Sequence, residues 1–137
     1  MVIFSDASEE AFGACAYGRW KINGGRFESR LIAAKSRLAP AKKSTMPRLE
    51  LNAALLVARL QQFVIKESNI EFSKMYLIVD SEIVRAMLQK ASYGYNTFTG
   101  VRVGEIQALT KGDDWYWVES SKNIADIISR GASPSRL

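Results

Sequence analysis

The sequence predicts a single α/β domain in which a mixed sheet is flanked by helices. Two observations favour this fold class: strand-length apolar stretches alternate with tight-turn signals over residues 2–35, and a long stretch with helical periodicity follows them. With 137 residues, of which 47% are hydrophobic, the chain can bury the core of one domain. We expect the domain to span residues 1–131 and residues 132–137 to form a tail or linker.

The first three predicted strands form an antiparallel meander. Residues 2–4 are apolar, and this strand stops at Asp6, which is followed by small turn-forming residues. Residues 11–20 form the second predicted strand. The Asn-Gly-Gly sequence at residues 23–25 is typical of a tight hairpin, because such turns need positive φ angles. The return strand is expected over residues 26–35.

A long helix follows the meander. Ser44, Thr45 and Pro47 are typical of a helix start, with a hydroxyl cap and a proline in the first turn, and the helical pattern continues to about Glu67. Glu50 is predicted in the first turn, near the positive end of the helix dipole. Five residues recur at the helical period and form the predicted core stripe: Leu49, Ala53, Leu56, Leu60 and Phe63.

The long helix predicts a crossover to a parallel strand over residues 75–80. This strand ends on Asp80, as the first strand ends on Asp6. Because the carboxyl ends of parallel strands meet at one end of the sheet, the two acids are expected side by side where open α/β sheets bind ligands.

The rest of the chain predicts three helices and one strand. Short and longer amphipathic helices are expected over residues 81–90 and 98–110, and a last strand over residues 115–119. A terminal helix over residues 123–131 begins at an asparagine, which is a natural N-cap.

Four acids on four different elements are the strongest functional signal: Asp6, Glu50, Asp80 and Asp126. Taken singly, such residues start turns, pair with helix dipoles or cap helices. The predicted topology lets all four converge, and converging carboxylates repel one another unless cations lie between them. Oxygen ligands favour Mg²⁺ or Mn²⁺ over zinc. Two such ions about 3.5–4 Å apart are a common apparatus for hydrolysing a phosphodiester.

Composition excludes several classes of enzyme and favours an anionic partner. The chain has no histidine, which excludes Ser-His-Asp and Cys-His catalysis and HExxH zinc sites, and it has no phosphate-binding loop motif. Its net charge of +5 favours an anionic partner. No apolar run approaches the ~20 residues of a membrane helix, and no signal peptide is evident. A single cysteine, Cys15, is expected to be a buried reduced thiol, so we expect an intracellular protein.

Residues 26–48 carry seven basic side chains and one acid. The ordinary explanation is a solvated strand face and loop. We favour a phosphate-binding lip for Lys35, Arg37 and Arg48, because they lead directly into the Glu50 helix. We also expect replacement of Arg37, Lys42 or Lys43 to weaken nucleic-acid binding.

Seven segments carry a family resemblance. In chain order they are FSDASEEAFGACAY, AAKSRLAP, PRLELNAALLVARL, VDSEIV, FTGVRVGEI, WYWVES and NIADIISRG. Together they resemble the ribonuclease H domain of BEL/Pao-type retrotransposons over essentially the whole chain. The resemblance implies the ribonuclease H-like fold, with a five-stranded mixed sheet in which strands 1–3 are antiparallel and strands 4 and 5 parallel. It also implies hydrolysis of the RNA strand of RNA/DNA hybrids, beside the reverse transcriptase domain of the same Pol polyprotein. The expected location is then the cytoplasm or a retroelement particle.

The resemblance also assigns residues. It implies that Asp6, Glu50, Asp80 and Asp126 bind two Mg²⁺ or Mn²⁺ ions and are catalytic. The predicted nucleic-acid-binding residues are Ser8, Lys35, Arg37, Lys42, Lys43, Arg48, Ser81 and Arg130. Many ribonucleases H have a histidine near the last acid that assists product release, and this chain has none. The usual proline before the final Ala-Asp is Ile124 here, and we expect both departures to affect rate rather than metal binding.

Three alternatives stay open. The first is another nuclease or an integrase on the same fold, against which the helical position of Glu50 argues. The second is a domesticated nucleic-acid-binding module with a degenerate site, which a cleavage assay with divalent ions would distinguish. The third is a basic structural domain whose acids only cap helices and start turns.

Overall fold

The computed structural model describes residues 1–7, 11–22, 24–39, 45–79, 81–89 and 95–118, with backbone alone for residues 6 and 7. The elements in chain order are β1 (Val2–Ala7), β2 (Ala11–Lys21), β3 (Phe27–Leu38), α1 (Met46–Glu67), β4 (Tyr76–Val79), α2 (Glu82–Leu88), α3 (Thr97–Leu109), a 3₁₀ turn (Gly112–Asp114) and β5 (Trp115–Trp117). The predicted terminal helix and the proposed domain boundary after residue 131 lie outside the described residues.

The strands form one mixed sheet in the order β3-β2-β1-β4-β5. The pairs β1–β2 and β2–β3 are antiparallel, whereas β1–β4 and β4–β5 are parallel. The predicted fold class, the meander and the crossover to a parallel strand are therefore confirmed. None of the helices in the described segments is long and apolar enough to cross a membrane.

The hairpin between β2 and β3 forms as its glycines predict. Gly24 and Gly25 have φ angles of 86° and 76°, in the left-handed region that favours glycine. The Ile22 N–H donates a hydrogen bond of 2.8 Å to the Arg26 carbonyl across the turn.

Two strand ends differ from the prediction. Strand β1 continues through Ala7, so Asp6 lies inside the strand rather than after it. Strand β3 continues to Leu38, three residues beyond the predicted end. Pairing with β2 is the reason in both cases. Strand β1 stays paired as far as Ala7, opposite Phe12, and β3 stays paired as far as Leu38, opposite Ala11. This backbone pairing outweighs the tendency of the polar residues at each end to stop the strand.

Helix α1 starts and ends close to the predicted residues, but its cap differs. Thr45 is the N-cap residue and Pro47 lies in the first turn, yet the Thr45 side chain makes no capping hydrogen bond. The core stripe was predicted wrongly at Phe63, which is 46% exposed, whereas Val64 is buried. Because α1 packs against the sheet and α3, its buried arc is wider and also includes Val57.

The core lies between α1 and one face of the sheet. Ile3, Ala16, Leu77 and Trp115 contribute from four strands and are buried with the inner residues of α1. The opposite face holds a smaller buried cluster of Val2, Ile78 and Val118. Cys15 is half-buried in β2 and therefore less buried than the sequence predicts.

Candidate functional site

The carboxyl ends of β1 and β4 meet at one end of the sheet, which we call the carboxyl edge. The strands are parallel with Phe4 paired to Ile78, so Asp6 lies two residues beyond that pair, and β4 ends one residue beyond it at Val79. The Asp6 backbone is fixed by pairing with Gly13 of β2. A Cβ at Gly13 would lie 3.2 Å from the Lys35 carbonyl oxygen, so this strand position suits glycine.

Helix α1 carries Glu50 towards the carboxyl edge. Gln61 and Ile65, in its last turns, line the same groove as Met75 and Tyr76 at the start of β4. The amino end of this 22-residue helix, which spans about 33 Å, therefore lies towards the opposite end of the strands. Glu50 is half-buried and is the fifth helical residue. The prediction that it lies in the first turn is wrong, because the helix begins at Met46.

The other two predicted acids, Asp80 and Asp126, lie outside the described residues. In the described part of the chain, no group of three or more histidine, cysteine, aspartate or glutamate residues could hold a metal ion. The two acids that the fold brings towards this edge, Asp6 and Glu50, offer oxygen donors alone, a donor set that fits Mg²⁺ or Mn²⁺. The four-carboxylate site thus stays a prediction.

Ser81 has a structural role beside this edge. It is 7% exposed, and its Oγ accepts a hydrogen bond of 3.2 Å from the Val84 N–H, which caps α2. Its contact with nucleic acid stays a prediction.

Two predicted basic residues lie close to the carboxyl edge. Arg37 pairs with Phe12, which in turn pairs with Ala7 at the end of β1, so Arg37 lies across β2 from that end. Arg48 is exposed in the first turn of α1, and its guanidinium lies 4.7 Å from the centre of the Phe98 ring. Both side chains can therefore reach a polyanion that crosses this edge.

Lys35 lies two residues before Arg37 in β3, farther from the carboxyl edge. It pairs with Ala14, and its ammonium lies 4.8 Å from the ring of Phe63. The remaining predicted contacts, Ser8, Lys42, Lys43 and Arg130, lie outside the described residues.

Sequence analysis missed Phe98 as a partner of Arg48. The aromatic ring belongs to α3, fifty positions away, and no local pattern indicates that α3 packs beside the start of α1.

Residues 1–81 match the family model described as the Pao retrotransposon-like RNaseH-like domain, which is more than half of the chain. No curated protein matches the chain in sequence.

Two solved structures resemble this fold. RNase H1 from the halophilic archaeon Halobacterium salinarum NRC-1 aligns with a TM-score of 0.58 at 16% identity, over 90% of this chain and 88% of that one. The N-terminal RNase H domain of rv2228c from Mycobacterium tuberculosis, solved as a fusion with maltose binding protein, aligns with a TM-score of 0.59 at 13% identity. This second alignment covers 93% of this chain and 88% of that one. At such identities the similarity shows the shared fold.

Proposed function

Because the chain belongs to the Pao retrotransposon-like RNaseH-like domain family, we propose that it is a metal-dependent endoribonuclease acting on RNA/DNA hybrids. The observation that carries the proposal is the parallel register of β1 and β4, which takes Asp6 to the edge towards which α1 carries Glu50. RNA/DNA hybrids are the products of reverse transcription in such an element. The proposed partner is accordingly the reverse transcriptase domain of the same polyprotein.

The proposed metal ligands are the carboxylates of Asp6, Glu50, Asp80 and Asp126. Bound Mg²⁺ or Mn²⁺ ions would supply a low-pKa water and charge neutralisation at the phosphate. The protein supplies position: pairing with β2 fixes the Asp6 backbone, and the buried side chains on either side of Glu50 fix the orientation of α1. The basic side chains of Arg37 and Arg48 would hold the hybrid backbone against this edge.

The test compares Asp6→Asn and Glu50→Gln with Glu67→Gln, an exposed glutamate at the other end of α1. Each variant is incubated with a labelled RNA/DNA hybrid and a DNA duplex in Mg²⁺ or Mn²⁺. We expect Asp6→Asn and Glu50→Gln to cleave the RNA strand at least about 10³-fold more slowly than the wild type, which is a small part of the rate acceleration usual for enzymes. Hybrid binding without divalent ions should be retained. Glu67→Gln should cleave like the wild type.

Two results would contradict the proposal. Equal cutting of the DNA duplex would show that the site does not read the 2′-hydroxyl. Wild-type protein that binds the hybrid and cuts nothing would instead be a nucleic-acid-binding module with a degenerate site.

A further inference from the structure

Helices α1 and α3 lie side by side in parallel, and polar contacts close the outer seam between them. The contacts advance along both helices together: Arg48 with Phe98, Asn52 with Arg102, Arg59 with Glu105, and Gln62 with the Leu109 carbonyl. The apolar core does not require charged side chains at this seam, so their arrangement needs a separate explanation.

Arg102 is held in one orientation by three contacts. Its Nε donates a 2.7 Å hydrogen bond to Asn52 Oδ1, and its Nη1 donates one of 3.1 Å to the Phe98 carbonyl. Its guanidinium carbon lies 3.6 Å from the centre of the Phe98 ring. Within the described residues these bonds occupy two of the five N–H donors of a guanidinium. Such a fixed guanidinium loses little further freedom when it binds an anion.

Positive charge is concentrated around Arg102. The guanidinium of Arg48 stacks on the same Phe98 ring, at 4.7 Å. Burial lowers the pKa of Arg102 below its ordinary value, and the nearby charges of Arg59 and Arg48 lower it further. The cluster is therefore one that an anion would stabilise.

The nearby carboxylate is already engaged. Glu105 accepts hydrogen bonds of 2.7 and 3.0 Å from Nε and Nη2 of Arg59, and these bonds hold its pKa below its ordinary value. In the described part of the chain, no other ion pair reaches Arg102 or Arg48. Glu105 also attracts Arg102, but one carboxylate faces the three guanidinium groups of Arg48, Arg59 and Arg102, so the cluster keeps a net positive charge.

An open groove of about 470 Å³ connects this cluster with β3. Its described lining includes four basic side chains and one acidic side chain: Lys35, Arg37, Arg59, Arg102 and Glu105. Arg37 places one wall of the groove beside the carboxyl edge. The groove therefore joins the carboxyl edge to a fixed, positively charged wall.

We propose that this groove, with Arg102 as its anchor, binds a backbone phosphate of a nucleic acid. The planar fork of an arginine fits two phosphate oxygens at once, and the groove has the opposite charge. The identity of the nucleic acid as an RNA/DNA hybrid rests on the proposed function. The groove contributes affinity and orientation, while hydrolysis belongs to the carboxyl edge.

The experiment measures binding without cleavage. Fluorescence anisotropy in EDTA gives the Kd of a labelled RNA/DNA hybrid against salt concentration for the wild type and for Arg102→Gln, Arg37→Gln and Arg26→Gln. Arg37 is an exposed residue, so its substitution tests the groove even if Arg102→Gln does not fold. Arg26 is exposed at the β2–β3 turn, at the opposite end of the sheet, and its substitution removes the same charge.

We expect Arg102→Gln to raise the Kd about tenfold and to reduce the slope of log Kd against log salt by about one. Arg37→Gln should reduce the slope similarly, whereas Arg26→Gln should leave it unchanged. Asn52→Ala keeps the charge but frees the guanidinium, so it should weaken binding about threefold at an unchanged slope. Cleavage at saturating hybrid should be the same for Arg26→Gln and the wild type.

The outcomes separate this inference from the proposed function. If the Arg102 and Arg37 variants match Arg26→Gln while the wild type cleaves, the groove is not a phosphate site. If binding depends on Arg102 but the wild type does not cleave, the groove stands and the nuclease proposal fails. A polyglutamate peptide that competes with equal affinity and equal dependence on Arg102 would assign the groove to an acidic protein segment instead.

Discussion

The two ends of the sheet differ in how they use polar groups. At the amino end, where β1, β4 and β5 begin, several polar groups are paired with one another, whereas the buried Oε1 of Gln61 has no hydrogen-bond partner within the described residues. The Tyr76 N–H donates to the Met1 carbonyl at 3.0 Å, and the Gln62 amide donates to the Leu109 carbonyl at 2.7 Å. The buried indole of Trp115 donates to Thr110 Oγ1 at 2.8 Å.

At the carboxyl edge, by contrast, the fold brings the predicted ligand and phosphate-binding residues together. Asp6 lies near the end of β1, Glu50 approaches from α1, and Arg37 and Arg48 lie beside them. The same strands thus contribute to stability at one end and carry the predicted ligand-binding residues at the other. Substitutions at the amino end should change stability without changing the chemistry, and substitutions near the carboxyl edge should do the reverse.

The largest stability effect is expected for Leu60→Ala. Leu60 is fully buried in the half of α1 that reaches the amino end, so truncation removes apolar contacts and leaves a cavity. The expected loss is about 2–5 kcal/mol in the free energy of unfolding, measured with urea. Phe63→Ala, on the exposed side of the same turn, should lose less than about 1 kcal/mol. If folded Leu60→Ala cleaved much more slowly per molecule, the separation of the two ends would be wrong.

A smaller effect is expected for Gly25→Ala in the β2–β3 turn. Its φ of 76° is strained for alanine, whereas a Cβ there would meet no atom within 4 Å. Strain alone should therefore lower the free energy of unfolding by roughly 1–2 kcal/mol. Gly112→Ala is the matched control, since that site is equally open and its φ is not positive. Equal melting temperatures for the two variants would contradict the expected strain.

The elements that sequence predicted well depend on local signals. The glycines of the turn, the proline of the first helical turn and the apolar strand cores each act within a few residues. The crossover rule then placed β4 beside β1 without any further information. The apolar pattern of β1 could not show that the strand continues past Asp6, because the length of the strand depends on its pairing with β2.

The seam between α1 and α3 could not be predicted from the sequence. Phe63 matched the helical period, but a helix pattern does not show how many neighbours cover the helix, and Phe63 is exposed. Asn52 and Arg102 are ordinary polar residues on separate helices, fifty positions apart, and they meet only because those helices pack in parallel. The predicted metal site is the opposite case to the seam. Its four residues are evident in the sequence, but Asp80 and Asp126 lie outside the described residues.

The smallest stability effect is expected for Glu105→Gln. This substitution should lower the stability of the fold slightly and raise its affinity for the hybrid. The pair with Arg59 has side chains that are 57% and 36% exposed, so its loss should cost less than about 1 kcal/mol. The Arg59 hydrogen bonds hold the folded-state pKa of Glu105 below its ordinary value. This stabilisation is therefore present above the unfolded-state pKa and disappears as pH falls through the folded-state pKa. Thermal melts should show a difference from the wild type at pH 7 that shrinks as the pH is lowered through the acidic range.

Binding should respond in the opposite direction. Removing the Glu105 charge releases Arg59 and raises the net charge of the groove by one. Hybrid affinity at pH 7 should therefore rise about threefold, and the slope of log Kd against log salt should steepen. The control is Glu71→Gln, which removes an exposed acid at the amino end. If both variants tighten binding equally, net charge alone explains the gain. If only Glu105→Gln does so while melting slightly lower, one carboxylate in the groove between α1 and β3 lowers hybrid affinity while it stabilises the fold.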